Sequence, residues 1–477
     1  MKLIESYNNV EVYERPGEIP LYNLLTPPLD KDGFTIKDAV KEIAIMQIDI
    51  DPSLIPDVKK RSRIFKEEII KIMIERFPEL SDNKADTIAW MVVEEMVGYG
   101  RLDPLLEDEN LEEIMVTGAN YPVYVYHKKH GACETNVVFN STAEVQNISE
   151  KIARDMQRRI DKSSPILDAR LPDGSRVNIT LPPVALDGIS LTIRKFNRDP
   201  ITVVDLIKYG TITSEIAAFL WICIDGIGFR PNNLIVAGGT ASGKTATLNA
   251  LLEFVPKMER VVSIEDTAEL YLHHKNRVRL ETRPPNIEGR GEVTMDDLLK
   301  NALRMRPDRI IVGEVRGPEA KTLFTAMNTG HEGSMGTLHA NSAHDVLTRL
   351  ESPPMDVPEN MIPALDLVVM QEKYFDRKKG IIRRVSEISE LLIGESGGIQ
   401  ENSVFRWNPV TDRITSTGIP SRTQFKLEES AKMIGTDFKT ELASRKKFLE
   451  GLVSEGIRSF DDIESRLNEF TAKRRVA

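Results

Sequence analysis

The spacing of hydrophobic residues changes along this chain and predicts its elements. Between about residues 62 and 97 the apolar positions recur every three or four residues, as on one face of an α-helix. These positions are Ile64, Ile69, Ile70, Ile72, Met73, Ile88, Met91, Val92 and Met96. Short apolar runs at 123–126 and 137–139 then predict strands, followed by a helix at about 143–160 and a tight turn at 171–175.

The second half of the chain gives the fold class. From 213 to about 395, helical and strand patterns alternate, which is typical of a sheet flanked by helices. We therefore predict an α/β fold with a large α/β domain, a smaller N-terminal α/β domain and helical extensions. The predicted segments are an N-terminal arm (1–60), a helical and α/β domain (61–196), a linker (197–212), the large α/β domain (213–395) and a C-terminal helical region (396–477).

The two ends of the chain are patterned differently from the middle. Prolines interrupt the first segment, and we predict an extended arm with one short helix near 36–46. These prolines are Pro16, Pro20, Pro27, Pro28, Pro52 and Pro56. The tail carries two apolar helical faces, one at 448–453 and one at 463–470, which we expect to pack on the chain's own core. The arm is therefore the better candidate for an adaptable contact with a partner.

Charge and cysteine content narrow the class of protein. The chain has 63 basic and 73 acidic side chains and a formal net charge of −10, so no nucleic-acid partner is expected. Cys133 and Cys223 stand far apart and in no metal-ligand spacing, as free thiols do in a reducing compartment. No run of about 18 apolar residues occurs, and residues 1–6 lack the apolar core of a signal peptide. We expect a cytoplasmic protein that reaches any membrane through a partner.

One glycine-rich segment points to nucleotide binding. It reads Gly238-Gly239-Thr240-Ala241-Ser242-Gly243-Lys244-Thr245, with Ala246 next, and fits the pattern G-x-x-x-x-G-K-[ST]. An apolar strand at 234–237 precedes it and a helical pattern follows it, which is the context that this motif requires. Lys244 would reach the β- and γ-phosphates of ATP, and the hydroxyl of Thr245 would bind Mg²⁺.

Acidic residues follow two further predicted strands. Glu314 ends the apolar run 309–314, about 70 residues after the phosphate loop, and suits a carboxylate on the metal side of the nucleotide. Its longer side chain allows a contact with Mg²⁺ through water. Glu265, Asp266 and Glu269 follow the run 261–264, and one of them could orient the attacking water.

Two histidines form the last candidate group. His331 and His339 lie eight residues apart among small residues. A zinc site is not expected, because there is no nearby cysteine and no H-E-x-x-H pattern. Sensing of the phosphate state is the alternative to an ordinary structural role.

These four signals, in this order and spacing, resemble the secretion ATPase superfamily of type II secretion, type IV pili and archaella. In its terms, 238–245 resembles Walker A, 265–269 the aspartate box, Gly313-Glu314 the end of Walker B, and His331 with His339 the histidine box. Three segments, 98–105, 123–127 and 301–308, resemble the archaeal branch of the superfamily. Within that branch the nearest resemblance is to the archaellum motor ATPase. The resemblance extends over about residues 95–395.

The resemblance implies more than the residues alone do. It implies a RecA-like motor domain, ATP held between the two main domains, and a homohexamer that drives a polytopic membrane platform protein. The segments 167–176 and 191–196 resemble the N-terminal domain of the family, in which Arg176 and Arg194 match arginines that reach a nucleotide. One feature departs from many bacterial type II secretion ATPases, which carry a four-cysteine zinc module. No cysteine follows Cys223 here.

Two other classes of function remain open. A nucleic-acid translocase can use the same core, although it would need a basic channel with stacking aromatic side chains. A non-catalytic, nucleotide-gated scaffold is opposed by the intact Lys244, Thr245 and Glu314. Within the superfamily, the sequence does not separate an archaellum motor from an archaeal pilus or type II-like secretion ATPase.

Overall fold

The chain forms two units, Met1–Arg198 and Asp199–Ala477, in the computed structural model. The structure describes residues 1–25, 29–50, 55, 58–156, 158–196, 200–285, 289–376, 380–394 and 397–475. No helix within these ranges is both long and apolar enough to cross a lipid bilayer.

The N-terminal unit contains a mixed sheet and a group of helices. Its elements are β1 (Lys2–Tyr7), β2 (Val10–Glu14), β3 (Leu21–Leu24), α1 (Lys31–Gln47), α2 (Val58–Arg76), α3 (Asp82–Met96), α4 (Asp103–Glu107), β4 (Leu111–Val116), β5 (Pro122–His127), β6 (Gly131–Val138), α5 (Thr142–Asp155), β7 (Ile166–Arg170), β8 (Arg176–Thr180) and β9 (Ser190–Arg194). The strand order is β1-β2-β3-β6-β5-β4-β9-β8-β7. All neighbours are antiparallel except β3 and β6, which are parallel.

The middle of this unit follows the hydrophobic pattern closely. The helical spacing at 62–97 corresponds to α2 and α3, which bury Ile69, Met73, Ile88 and Val92 in a core shared with α1. The predicted strands correspond to β5 and the end of β6. The turn at 171–175 joins β7 to β8 and is closed by a 2.9 Å hydrogen bond from the Gly174 amide to the Leu171 carbonyl oxygen.

The prediction of an extended arm is wrong for most of its length. Strands β1 to β3 extend the sheet, and the short predicted helix is the 17-residue α1. Val10, Val12 and Tyr22 are buried, because alternate residues of these strands face the core. Pro16 and Pro20 lie in the connection between β2 and β3, so they do not interrupt a ladder of hydrogen bonds.

The C-terminal unit is built on a second sheet. Its elements are α6 (Val203–Lys208), α7 (Ser214–Asp225), β10 (Leu234–Gly238), α8 (Lys244–Leu251), β11 (Val261–Glu265), β12 (Arg277–Glu281), α9 (Met295–Ala302), β13 (Arg309–Val315), α10 (Glu319–Asn328), β14 (Met335–Leu338), α11 (Ala343–Glu351), β15 (Leu367–Asp376), β16 (Gly380–Ile393), β17 (Ile399–Asn408), β18 (Arg413–Ser416), α12 (Arg422–Met433), α13 (Phe438–Glu455) and α14 (Phe460–Arg475). The strand order is β12-β11-β13-β14-β10-β15-β16-β17-β18.

The first half of this sheet is parallel and buried on both faces. In this spatial order, each pair of neighbouring strands from β12 through β11, β13, β14 and β10 to β15 is parallel. Each pair from β15 to β18 is antiparallel. Along β10, Leu234 and Val236 face one hydrophobic cluster, whereas Ile235 and Ala237 face another. Parallel strands covered by helices read as continuous apolar runs for this reason. The α/β prediction is confirmed.

The predicted linker at 197–212 is wrong beyond its first residues. Residues 197–199 lie outside the described residues. Helix α6 belongs to the C-terminal unit, and its Val203 and Val204 are fully buried. The helix starts at a reciprocal cap, in which Thr202 and Asp205 satisfy each other's backbone amides. The polar residues before Pro200 therefore mark the boundary between the two units, but they do not begin a longer linker.

The predicted C-terminal helical region is only partly helical. Strands β17 and β18 extend the sheet to residue 416, and α12 was not predicted. The two predicted apolar faces lie on α13 and α14. They pack on the core as expected, with the Phe448 and Phe470 rings 5.8 and 5.3 Å from the Trp221 ring. Cys133 and Cys223 are free and buried, as expected.

Candidate functional site

The glycine-rich segment forms a loop between β10 and α8. Helix α8 begins at Lys244, directly after Gly243, whose φ of 93° lies in the left-handed region. Ala241 also has a positive φ, 59°. A side chain at Gly238 would collide with the Gln371 carbonyl oxygen and with Ser242. The loop thus needs glycine where its backbone turns and where it packs closely against β15.

The acidic candidates reach the same edge of the sheet as this loop. One row of register partners crosses four parallel strands: Ile264, Val312, Gly336 and Ile235. Glu265 lies one residue beyond this row, Glu314 two and Gly238 three. Because the carboxyl ends of parallel strands meet at one edge, Glu265 and Glu314 lie beside the start of the phosphate loop.

Gly313, directly before Glu314, lies against the side chain of Glu265. The register between β13 and β14 shifts between Val312 and Val315, and the Gly313 carbonyl oxygen accepts a 2.6 Å hydrogen bond from the Thr337 hydroxyl. A side chain at Gly313 would begin 2.9 Å from Cγ of Glu265. Glycine at this position therefore leaves room for the side chain of Glu265.

The Glu265 carboxylate has two different oxygens. Oε2 accepts hydrogen bonds from the amides of Glu269 and Leu270, at 2.7 and 2.8 Å, and so shapes the acidic turn. Oε1 is buried, and the described residues provide it with no hydrogen-bond partner. Burial raises the pKa of Glu265, while the two amide hydrogen bonds act in the opposite direction. A buried carboxylate with one uncommitted oxygen is suited to accept a proton.

Neighbouring contacts hold the acidic turn in place. Asp266 forms an ion pair with Arg316 and accepts a 3.0 Å hydrogen bond from Thr282. The amide of Tyr271 donates to Oδ1 of Asn249, on the helix after the phosphate loop, at 2.7 Å. This bond ties the turn that contains Glu269 to α8.

The two histidines lie at opposite ends of β14. His339 follows the strand and is level with Gly238 in the adjacent β10, so it lies at the phosphate-loop edge. His331 precedes the strand, where its amide donates to the Ala326 carbonyl oxygen at 3.1 Å. A four-residue strand of about 3.3 Å per residue separates the two side chains. Of the two predicted histidines, only His339 therefore lies at the phosphate-loop edge of the sheet.

Arg176 and Arg194 lie together in the N-terminal unit. They are direct register partners on β8 and β9, and Glu113 of β4 pairs with Arg194 on its other side. Directly opposite residues of an antiparallel pair project to the same face of the sheet. Glu113 therefore projects to the same face of the sheet as the two arginines.

Sequence reasoning missed the residues that support the loop from β15 and β16. Gln371 Nε2 donates to the Ser242 carbonyl oxygen at 2.9 Å, and Arg383 Nε donates to the Ala241 carbonyl oxygen at 3.1 Å. Asn341 was also missed, although its Oδ1 lies only 3.5 Å from the position that a side chain at Gly239 would occupy. No motif marks these residues, since they are distant in sequence and act through the backbone of the loop.

The side chains present fit a nucleotide with Mg²⁺. Lys244 and Thr245 are half-buried at the start of α8, at the helix end that favours negative charge. Hydroxyl and carboxylate oxygens from Thr245 and Glu314 are the kind of ligand that Mg²⁺ prefers. The hydroxyl of Ser242 is buried in the loop, and the described residues leave it unpaired.

Comparisons with known proteins show the family of this chain. A family model described as Type II/IV secretion system protein matches residues 95–377. The uncharacterized protein MJ0781 of Methanocaldococcus jannaschii is 54% identical over 239 residues, which are 50% of this chain and 33% of that protein. This chain therefore spans about a third of the length of that relative.

Two further relatives align over more of their own length. The uncharacterized protein MJ0900 of Methanocaldococcus jannaschii is 35% identical over 403 residues, covering 83% of this chain and 71% of that protein. The putative conjugal transfer protein Rv3659c of Mycobacterium tuberculosis is 38% identical over 264 residues, covering 54% of this chain and 73% of that protein. Since the family model spans more than half of the chain, and MJ0900 most of it, the chain belongs to the type II/IV secretion ATPase superfamily.

Proposed function

We propose that this chain is a cytoplasmic Mg²⁺-dependent ATPase whose hydrolysis cycle powers assembly, and possible rotation, of an archaeal surface filament or secretion of its subunits. One observation carries the ATPase proposal. The phosphate loop, Glu265, Glu314 and His339 lie at one edge of a parallel sheet, on strands that are far apart in sequence. Phosphoryl transfer needs such a cradle, a metal-side carboxylate and a group that orients water.

Each residue has a defined part in this proposal. The backbone of 238–246 binds the phosphates, and Lys244 neutralises the β- and γ-phosphate charge. Thr245 and Glu314 would hold Mg²⁺, Glu314 directly or through water, and the ion would offset the charge that develops on the phosphates.

Two groups complete the proposed assignment. Glu265 accepts the proton of the attacking water, and Glu269 and His339 line the γ-phosphate side. Arg176 and Arg194 act on the bound nucleotide, where positive charge stabilises the transferred phosphoryl group.

The motor role is proposed from the family. We propose a homohexamer, peripherally associated with the cytoplasmic membrane through a polytopic platform protein. The archaellum is the filament we propose first, because of the archaeal segments in the sequence. An archaeal type IV pilus or a type II-like secretion system is the alternative within the superfamily.

Nucleic-acid transport is a candidate of another class. It is favoured by Rv3659c, a relative named as a putative conjugal transfer protein. It is opposed by the net charge of −10, since DNA translocases need a basic path for the phosphate backbone.

Steady-state hydrolysis by the full chain tests the ATPase proposal. Lys244→Ala should leave less than about a tenth of the parental rate with unchanged circular dichroism, because the phosphate charge is no longer neutralised. Glu314→Gln should keep ATP binding and lose hydrolysis, because it acts on the metal and water. Parental rates in both variants would refute the assignment. Stimulation by vesicles bearing the platform protein supports the filament role, whereas stimulation by DNA alone supports the translocase.

A further inference from the structure

The phosphate loop is held by two side chains that lie outside its motif. Gln371 and Arg383 come from β15 and β16, more than 120 residues after the loop. Each donates a hydrogen bond to a carbonyl oxygen of the loop, Gln371 to that of Ser242 and Arg383 to that of Ala241. These carbonyls are the backbone groups that must point away from a bound phosphate.

The loop has a backbone conformation that needs such support. Ala241 has a φ of 59°, in a region that is unfavourable for residues other than glycine. Residues held in sparsely populated conformations persist only when neighbouring groups fix them. The hydrogen bond from Arg383 Nε fixes the carbonyl of this same residue, at 3.1 Å.

Packing brings the two side chains to one point of the loop. A side chain at Gly243 would begin 3.0 Å from Nε2 of Gln371 and 3.1 Å from Cδ of Arg383. Gln371 is buried, and its amide oxygen has no partner among the described residues. The glycine before Lys244 is thus required by the two supporting side chains as well as by the turn.

Arg384, the next residue along β16, is a structural arginine with which Arg383 can be compared. Arg384 is buried and forms hydrogen bonds of 2.7 and 2.9 Å with both carboxylate oxygens of Asp412. Arg383 is exposed and points to the other face of the sheet. A guanidinium has five N–H donors, and the described residues engage one of them, at Ala241. Its positive charge therefore lies at the rim of the phosphate loop without a carboxylate to neutralise it among those residues.

We propose that Arg383 is a positioning residue for phosphate binding. It holds the Ala241 carbonyl so that the amides of the loop face the nucleotide, and its charge raises the affinity of the loop for phosphate. Gln371 holds the Ser242 carbonyl in the same way. This inference rests on the proposed ATP-binding function of the same loop.

Kinetics of Arg383 variants in the full chain test the inference. Arg383→Ala should raise KM for ATP about tenfold while kcat changes by less than about threefold, because preorganisation and charge at the rim act on binding. Arg383→Lys should recover part of the affinity, since it keeps the charge but loses the planar donor at Nε. Arg413→Ala is the matched control, because Arg413 is an exposed arginine on β18, at the far edge of the same sheet.

Two further measurements separate positioning from folding and from the proposed function. The unfolding midpoint without nucleotide should be the same in all variants, and calorimetry should show the same order of ATP affinities as KM. Parental KM and affinity in Arg383→Ala would overturn the inference and leave the ATPase proposal intact. Absence of hydrolysis in the parent would refute the ATPase proposal, and the calorimetric order would still decide the role of Arg383. If Arg383→Ala does not fold, Arg383→Gln replaces it.

Discussion

At the scale of single residues, the most informative feature is that the two carboxylate oxygens of Glu265 differ in their hydrogen bonding. One oxygen holds the acidic turn through two amides, and the other is buried without a partner among the described residues. Because burial raises its pKa, the folded chain holds the proton of Glu265 more tightly than an unfolded chain does. Its contribution to folding stability therefore decreases as the pH rises from the ordinary carboxyl range through the raised pKa.

We expect Glu265→Gln to retain the fold and lose catalysis. The glutamine oxygen can still accept both amide hydrogen bonds, but it cannot take a proton from water, so kcat/KM should fall at least about a hundredfold. The parent should show an acid limb of kcat/KM above the pH range of an ordinary glutamate, since this ratio reports the free enzyme, and the variant should lack that limb. A variant with the parental pH profile would assign the base to another group.

At the scale of elements, the N-terminal strands have the largest consequence. Tyr22 of β3 is fully buried and its hydroxyl donates a 2.7 Å hydrogen bond to Asp108, in the loop before β4. Tyr7 of β1 donates to the same carboxylate oxygen at 2.7 Å. These bonds anchor residues for which the sequence predicted an extended arm.

Tyr22→Phe should destabilise the N-terminal unit by about 1–3 kcal/mol, because the half-buried Asp108 carboxylate loses one of its donors. Tyr13→Phe is the control. Among the described residues the Tyr13 hydroxyl bonds only to the nearby Glu11, at 2.6 Å, and its loss should cost less than about 0.5 kcal/mol. Hydrogen exchange of β4 and β5 measures the difference. Equal protection in both variants would mean that the first strands are not part of the unit's cooperative core.

The same elements show what the sequence could and could not predict. The phosphate loop, both acidic strand ends and the helices at 62–97 have local signals, because a motif or a period defines each of them. Strands β1 to β3 were missed because prolines in their connection outweighed a short alternation at Val10 and Val12. Gln371 and Arg383 were missed for a different reason. Their role depends on strand pairing across the sheet, which no local pattern encodes.

At the scale of the whole molecule, the proposed function requires both units. Arg176 and Arg194 are register partners in the N-terminal unit, and Glu113 pairs with Arg194 on its other side. We propose from the family resemblance that the two arginines reach the nucleotide. The chain offers a comparison at Arg159, which is exposed and ion-paired with Asp161.

Arg176→Ala and Arg194→Ala, made separately in the full chain, should each lower kcat at least about tenfold, because they remove charge that stabilises the transferred phosphoryl group. Arg159→Ala should hydrolyse ATP at the parental rate. Hydrolysis rates per subunit at saturating ATP show whether the two arginines contribute to kcat. Parental kcat in both arginine variants would leave the pair with a structural role only.

The support of the phosphate loop by β16 also has a consequence for biosynthesis. Arg383 lies 142 residues after its hydrogen-bond partner Ala241, so a ribosome that adds about 5–20 residues per second needs roughly 7–28 s to span that interval. During this time the nascent chain carries the complete glycine-rich motif but lacks the strand that braces it. Tight ATP binding would then begin only when β16 has left the ribosome. A nascent or prematurely terminated chain would in this way be kept from competing for nucleotide, and from entering an assembly, before its sheet is finished.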